Sequence, residues 1–400
     1  MKYPTILFLL ILSVGAKAQF CTPDNRFTEV DYFSSAQIDS VTNLTYASYL
    51  DNQGNQQDLL LDFYFPGFLE DSLPKRPFIL LLHGGGFFVG NKGLMRDKCF
   101  EFAKKGFVAA TMNYRLGNFQ EGDVRYRAQQ DAHSAMRFVV DQAETYRIDT
   151  TWLFIGGRSS GSMAALGLAY LDQNDWNTID SSSVSNLGLL NTAGNDINDE
   201  FTIKGVFNNW GNVQSAGVSE SDQIPMIAFH GENDPIVRID SSQMGDWGSR
   251  VLHEYLVAQG ICSDLTVDPN GGHGVYDNPE GAKFRVQKTS CFFKSIFCED
   301  CSSAYAEEAV PANCASATTS TVNVAVAQKT EVFPNPSTNE INILTEPNFD
   351  GYFEIYNLIG ERLLQSVDHQ IDIRSFHPGA YILVKRYTDG RLESFKLIKK

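Results

Sequence analysis

Short apolar runs alternating with longer segments of helix-forming composition organise most of this 400-residue chain. Two β-rich runs, over 41–49 and 59–65, flank the turn signal Asp51-Asn52-Gln53-Gly54-Asn55 and predict a hairpin. Phe78-Ile79-Leu80-Leu81-Leu82 has no polar position, the pattern of a strand buried on both faces, as parallel sheets require. A helix is expected near 95–105, a strand over 106–112 and a long helix over 123–146. Trp152-Leu153-Phe154-Ile155 reads as a strand that passes through a turn of small residues into the helix-forming stretch 163–170. Further strands are expected at 203–207, 225–229 and 265–267, with helices over 244–259 and 281–297. Strands alternating with helices argue for an α/β fold around a mostly parallel central sheet.

Other stretches break this rhythm. Residues 172–200 are rich in Asn, Asp and Ser and read as an insertion over one end of the sheet, covering a pocket there. Between 302 and 330 the composition shifts to Ala, Ser, Thr and Val, which predicts a linker. Residues 331–400 hold β runs such as Tyr352-Phe353-Glu354-Ile355-Tyr356, broken by Gly and Pro, and a small β-sandwich is expected. At the start, Met1-Lys2, the apolar run 6–12 and Ala16-Lys17-Ala18 have the layout of an export signal cut before Gln19. That run is too short to span a bilayer, so the mature chain is expected to have no transmembrane segment. The expected organisation is a signal over 1–18, a main domain over 19–301, a linker over 302–330 and a second domain over 331–400.

A formal net charge of −16 excludes nucleic acid as a partner, because phosphate binding needs clustered Lys and Arg. Export makes disulfides the expected state of the cysteines at 21, 99, 262, 291, 298, 301 and 314. The pair Cys298-Glu299-Asp300-Cys301 has no nearby His to complete a metal set, and neither metal nor organic cofactor is expected. The pairing stays open, and the odd count leaves one thiol over.

Candidate chemistry centres on Gly157-Arg158-Ser159-Ser160-Gly161, a G-x-S-x-G turn between strand and helix. A serine hydroxyl is a poor nucleophile; it needs a base, the base an orienting carboxylate, and the oxyanion hydrogen-bond donors. His83-Gly84-Gly85-Gly86-Phe87 follows the buried strand and can offer bare backbone N–H groups. Asp234, in His230-Gly231-Glu232-Asn233-Asp234-Pro235, follows a strand at its carboxyl end, where sites collect in open α/β sheets. His273 stands among glycines in Gly271-Gly272-His273-Gly274 after the last expected strand. His133 and His253 lie inside helical patterns, and His83 and His230 come in the wrong order for a base. Glu232 and Asp240 lack the loop position of Asp234, and Ser160 and Ser162 lack flanking glycines at the required spacing.

With these motifs in this order, residues from about 59 to 297 resemble the α/β-hydrolase superfamily of esterase and lipase type. Asn113-Tyr114-Arg115-Leu116 strengthens the likeness. The resemblance implies Ser159 as nucleophile, Asp234 as acid and His273 as base, with oxyanion donors from the N–H groups of Gly85, Gly86 and Ser160. It places Arg115 and Asp131 at structural positions. Many members have Glu or Tyr before the serine and Ala or Met after it, where this chain has Arg158 and Ser160. The tail, with Val332-Phe333-Pro334-Asn335-Pro336, Tyr356-Asn357-Leu358-Ile359-Gly360 and the basic end Lys396-Leu397-Ile398-Lys399-Lys400, resembles the type A sorting domain of type IX secretion. That implies an exported protein, free or on the outer cell surface, whose tail engages the type IX machinery.

The function these readings favour is a secreted serine carboxylic-ester hydrolase. Its expected substrate is a small or polysaccharide-linked ester, such as acetyl or feruloyl groups. A serine peptidase, a lipase or polyester hydrolase, and a hydrolase-like surface protein without activity are the alternatives. The polar insertion at 172–200 looks less like the apolar lid of a lipase.

Overall fold

A computed structural model describes residues 20–21, 25–50, 56–117, 122–219, 221–242, 245–307, 330–345, 349–357, 362–388 and 392–400. The expected export signal, the hairpin turn at 51–55, most of the expected linker and Leu358-Ile359-Gly360 of the tail motif lie outside the described residues. The chain divides into two compact units, one up to Ala315 and one from Ser316.

The strands of the first unit are, in chain order, β1 (Ile38–Leu50), β2 (Gln56–Pro66), β3 (Arg76–Leu82), β4 (Val108–Met112), β5 (Ile148–Arg158), β6 (Ile203–Asn209), β7 (Val213–Gln214), β8 (Met226–Gly231), β9 (Asp246–Trp247), β10 (Ser263–Asp268) and β11 (Ala304–Ala306). Nine of them form one sheet in the order β1-β2-β4-β3-β5-β6-β8-β10-β11, while β7 and β9 pair as a short ribbon. The β1–β2 hairpin and the β2–β4 pairing are antiparallel, and every later pairing in the sheet is parallel. Ala304–Ala306 falls inside the expected linker, so the sheet reaches beyond the boundary drawn at 301.

Among the described residues, seven helices accompany it: α1 (Arg96–Lys104), α2 (Val124–Asp141), α3 (Ser160–Tyr170), α4 (Gln173–Ile179), α5 (Ser181–Leu187), α6 (Ser249–Ala258) and α7 (Pro279–Phe297). The apolar run of β3 explains the layering. Phe78, Leu80 and Leu82 face one core with α2, α3 and α6, and Ile79 and Leu81 face the other with α1 and α7. Because side chains alternate along a strand, a continuous apolar run serves both cores at once. The irregular lead-in is part of the second core: Phe20 and Phe27 are buried, and the amide of Phe27 donates to the carbonyl of Lys105.

Residues 172–200 depart from expectation. They contain α4 and α5, whose N-termini are capped by the carboxylates of Asp172 and Asp180. Such caps satisfy the free amides of a first turn, so a polar stretch too short for apolar periodicity still forms helices. The segment lies against α2 and β1. Trp176 donates to Gln129, the α2 side chains Gln130 and Ser134 bond Leu187 O and Ala193 O, and Asn195 donates to Tyr46 O on β1. The segment is pinned along the α2 side of the helix layer, and no such bond reaches Ser159 or His273 among the described residues.

Disulfides join Cys21 to Cys298 and Cys262 to Cys301. The C-x-x-C therefore sends its two cysteines to different places, tying the end of α7 to the chain start and the segment after α7 to β10. Cys99 is a free buried thiol on α1.

The second unit has two antiparallel sheets. One is built of β12 (Glu331–Phe333), β13 (Glu340–Leu344) and β16 (Gln370–Asp372); the other runs β15-β14-β17-β18, with β14 (Gly351–Tyr356), β15 (Arg362–Ser366), β17 (Gly379–Tyr387) and β18 (Leu392–Lys399). Ile341, Ile343 and Ile371 from one sheet meet Phe353, Ile355, Leu383 and Leu397 from the other in a shared core, the arrangement of a small sandwich.

Candidate active site

Ser159 joins the end of β5 to the start of α3 with φ 51° and ψ −124°, a conformation that costs energy in a residue with a Cβ. The flanking glycines allow it. A Cβ on Gly157 would lie 2.4 Å from the carbonyl carbon of Gly161, and one on Gly161 would lie 2.3 Å from Leu82 O. The amide of Ser159 donates to Asn209 O at 2.9 Å, which holds the turn against the end of β6.

His273 follows β10 and reaches the serine: its Nε2 is 2.9 Å from Ser159 Oγ, and its Nδ1 is 2.8 Å from Asp234 Oδ2. An ionised carboxylate only accepts, so Nδ1 carries the proton and Nε2 is left to accept from the serine hydroxyl. Asp234 follows β8, and its other oxygen accepts from the amides of Ile236 and Val237, both at 2.9 Å. Burial alone would raise the pKa of this carboxyl; hydrogen bonds from His230, His273 and the two amides outweigh it and hold the group well below the usual carboxylate range. The acid and base loops are also laced together, with Glu232 N donating to Asp268 O and Asn233 N to Gly271 O, each at 2.9 Å.

The loop after β3 lies against the serine. A Cβ on Gly84 would sit 3.3 Å from Ser159 Cβ, and Gly85 adopts φ 128° where a Cβ would strike Val89 O at 1.9 Å. The carbonyl of Gly85 accepts from the amides of Phe88 and Val89, and Phe87 O from Gly117 N. His83 and Tyr114 brace it from beneath, stacked at 4.2 Å, with the tyrosine hydroxyl donating to His83 O. Gly85 and Gly86 are thus carried on a fixed turn beside Ser159, and Ser160 opens α3, where the helix dipole favours negative charge. The competing residues stand elsewhere. Glu232 and Asp240 pair with Arg250, His253 bonds Ser263, and His133 packs against Phe201. His369 and His377 belong to the second unit. Arg115 pairs with Asp131 at 2.7 Å and covers the Tyr49 ring.

Residues 61–217 match the family model BD-FAE, and residues 331–400 match the secretion system C-terminal sorting domain. The first unit has the fold of the α/β-hydrolases. Esterase 2 of Thermogutta terrifontis, solved phosphorylated by paraoxon, is 20% identical, with 67% of this chain and 96% of that chain covered at a TM-score of 0.50, a likeness of fold. Esterase B from Lactobacillus rhamnosis is 18% identical over 67% of this chain and 89% of its own, at a TM-score of 0.46. A curated relative, methylphloroacetophenone synthase of Cladonia uncialis, is 32% identical over 124 residues; the match covers 28% of this chain and spans only 5% of that protein.

Two residues of this site went unnoticed in the sequence. Asn209 clamps the elbow: its Nδ2 donates to Gly157 O at 2.6 Å, its carbonyl holds Ser159 N, and its Oδ1 accepts from Arg285. Its signal is the polar pair Asn208-Asn209 at the end of an otherwise apolar strand. His230 lies under Asp234, bonded to Val237 O through Nε2 and to Ser249 Oγ through Nδ1. A carbonyl cannot donate, so Nε2 is protonated and also points its proton toward the carboxylate. Around the elbow, Asp277 accepts from Arg158 at 2.8 Å and from Arg285 at 3.3 Å, joining the segment after His273 to the residue before Ser159.

Proposed function

We propose that the hydrolase unit is a serine carboxylic-ester hydrolase that works through an acyl-enzyme on Ser159. The observation that carries this reading is the continuous line from Ser159 Oγ to His273 Nε2 and from His273 Nδ1 to Asp234, placed on a strained, glycine-flanked elbow. His273 takes the serine proton at Nε2 as Oγ attacks the ester carbonyl, and Asp234 stabilises the imidazolium. The amides of Gly85, Gly86 and Ser160 hold the tetrahedral oxyanion. The proton passes to the leaving alcohol, water adds to the acyl group with His273 again as base, and the acid is released.

Acetyl or feruloyl esters of polysaccharide are the substrates this reading favours, in keeping with the Asn-, Asp- and Ser-rich composition of residues 172–200. The sorting domain supports export through type IX secretion, followed by release or display on the outer surface. No described helix is long and apolar enough to cross a membrane. Ser159→Ala is the test: hydrolysis of 4-nitrophenyl acetate should fall by at least about 1000-fold and labelling by a fluorophosphonate should vanish, with the fold intact by circular dichroism. Unchanged turnover would remove Ser159 from the reaction.

A further inference from the structure

A cavity of about 400 Å³ opens between α1 and the start of α7, and Arg158 forms part of its wall. Its neighbours in sequence are the two catalytic loops: Arg158 precedes Ser159, and Asp277 and Asn278 follow His273 by a few residues. The two places also meet in space: a Cβ on Gly84 would lie 3.3 Å from both Arg158 Cγ and Ser159 Cβ, so the Arg158 end of the cavity adjoins the elbow.

The charges around it do not balance. Asp277 is the carboxylate shared by Arg158 at 2.8 Å, Arg285 at 3.3 Å and Lys98 at 4.0 Å. One negative charge thus faces three positive ones. Lys98 is 13% exposed at its side chain and Arg285 2%, so solvent does little to screen them. Among the described residues, no hydrogen bond reaches the Lys98 ammonium. The other carboxylates at the cavity are less available to these cations: Asp97 draws on Lys98 from an exposed position, Glu101 pairs with Lys104 at 3.0 Å, and Lys283 at the rim pairs with Glu280.

Burial is the main cost borne by both inner cations. Burial pushes Arg285 down to about 10, and the Arg158 charge adds to that against the opposing pull of Asp277. Lys98 is lowered mainly by burial, with Arg285 and Arg158 pressing in the same direction. A second anion in the cavity would relieve them both.

We propose that this cavity is a substrate subsite for a carboxylate, held between Lys98 and Arg158, so that the preferred ester carries an acidic group close to the bond that breaks. The proposal rests on the esterase reading above. It makes an acidic sugar or hydroxy-acid ester a better substrate than a neutral one of the same size. A charge-assisted hydrogen bond to the lysine gives the discrimination.

The experiment compares matched esters. Mono-4-nitrophenyl succinate against 4-nitrophenyl butyrate places the charge on the acyl side; 4-acetoxybenzoate against phenyl acetate places it on the alcohol side. In at least one pair, kcat/KM of the full chain should favour the charged ester. Lys98→Gln should cut that ratio about tenfold, equivalent to about 1.4 kcal/mol, and Lys98→Arg should restore it. Added salt should shrink the preference in the wild-type protein. Equal ratios in both pairs, or a ratio indifferent to Lys98→Gln, would overturn the subsite while leaving the esterase intact. Failure to hydrolyse any of the esters, together with no fluorophosphonate labelling, would instead overturn the esterase reading itself.

Discussion

His230 Nε2 lies 3.4 Å from Asp234 Oδ2, so the carboxylate that orients His273 is also approached by a second, fully buried imidazole. The pKa of Asp234 is depressed in the folded protein. Its contribution to stability is therefore present above the unfolded carboxylate value of about 4 and is lost as pH falls toward the folded value. His230→Phe removes one donor to the ionised group and should cost about 1–3 kcal/mol at pH 7. The gap from wild type should persist to about pH 4 and narrow only as pH falls on toward the depressed folded value, where the carboxylate takes up its proton. Urea unfolding followed from pH 7 to about pH 2 measures both, and a gap that stays constant over the whole range would assign the cost to packing alone.

Asn209→Ala should affect the rate more than substrate binding. The change removes the side-chain donor to Gly157 O and one of the two acceptors of the buried Arg285, while the backbone bond to Ser159 N can persist. A stability loss of about 1–3 kcal/mol is expected, with kcat falling at least about tenfold as the elbow loosens. Steady-state kinetics on 4-nitrophenyl acetate decide the point; a pure rise in KM would show that the clamp does not position the nucleophile.

Gly161→Ala puts a methyl group 2.3 Å from Leu82 O and 2.4 Å from His83 O, both backbone atoms that cannot swing aside. The loop after β3 must shift, at about 1–3 kcal/mol, and ester hydrolysis should drop about 100-fold because the donors of Gly85 and Gly86 move with it. Gly122→Ala, with open space around the added carbon, is the control. Similar melting temperatures and activities for the two variants would contradict the packing argument.

Removal of the Cys21–Cys298 bridge by a double substitution to Ser should lower stability by about 2–5 kcal/mol, since it closes a separation of 277 residues. The bridge anchors the segment that sets Phe20 and Phe27 against Phe297. Urea midpoints under non-reducing conditions test this, and an unchanged midpoint would mean that the aromatic packing suffices.

Much of the first unit was legible because its signals are local. The unbroken apolar run at Phe78–Leu82 announces a strand with two buried faces, and G-x-S-x-G announces a turn that two close approaches force to be glycine. The chain order of Ser159, Asp234 and His273 also follows from motifs that each sit at a strand end. Less legible were α4 and α5, whose helices depend on Asp172 and Asp180 as caps and on Trp176 docking against α2. The apolar period that usually marks a helix is absent there. The disulfide pairing was equally hidden, because Cys21 and Cys298 meet only after α7 has packed on the lead-in.

The sequence by itself determined which residue types stand at which strand ends, since strand burial and turn geometry act over a few neighbouring residues. Only the tertiary structure decided which side chains share a carboxylate. Asp277 joins Arg158 and Arg285 across 119 residues in one direction and 8 in the other, and Asn209 reaches back to the elbow from the next strand of the sheet. Such contacts arise when packing removes water from charged and polar groups and leaves each to find a partner, and no local pattern records that choice.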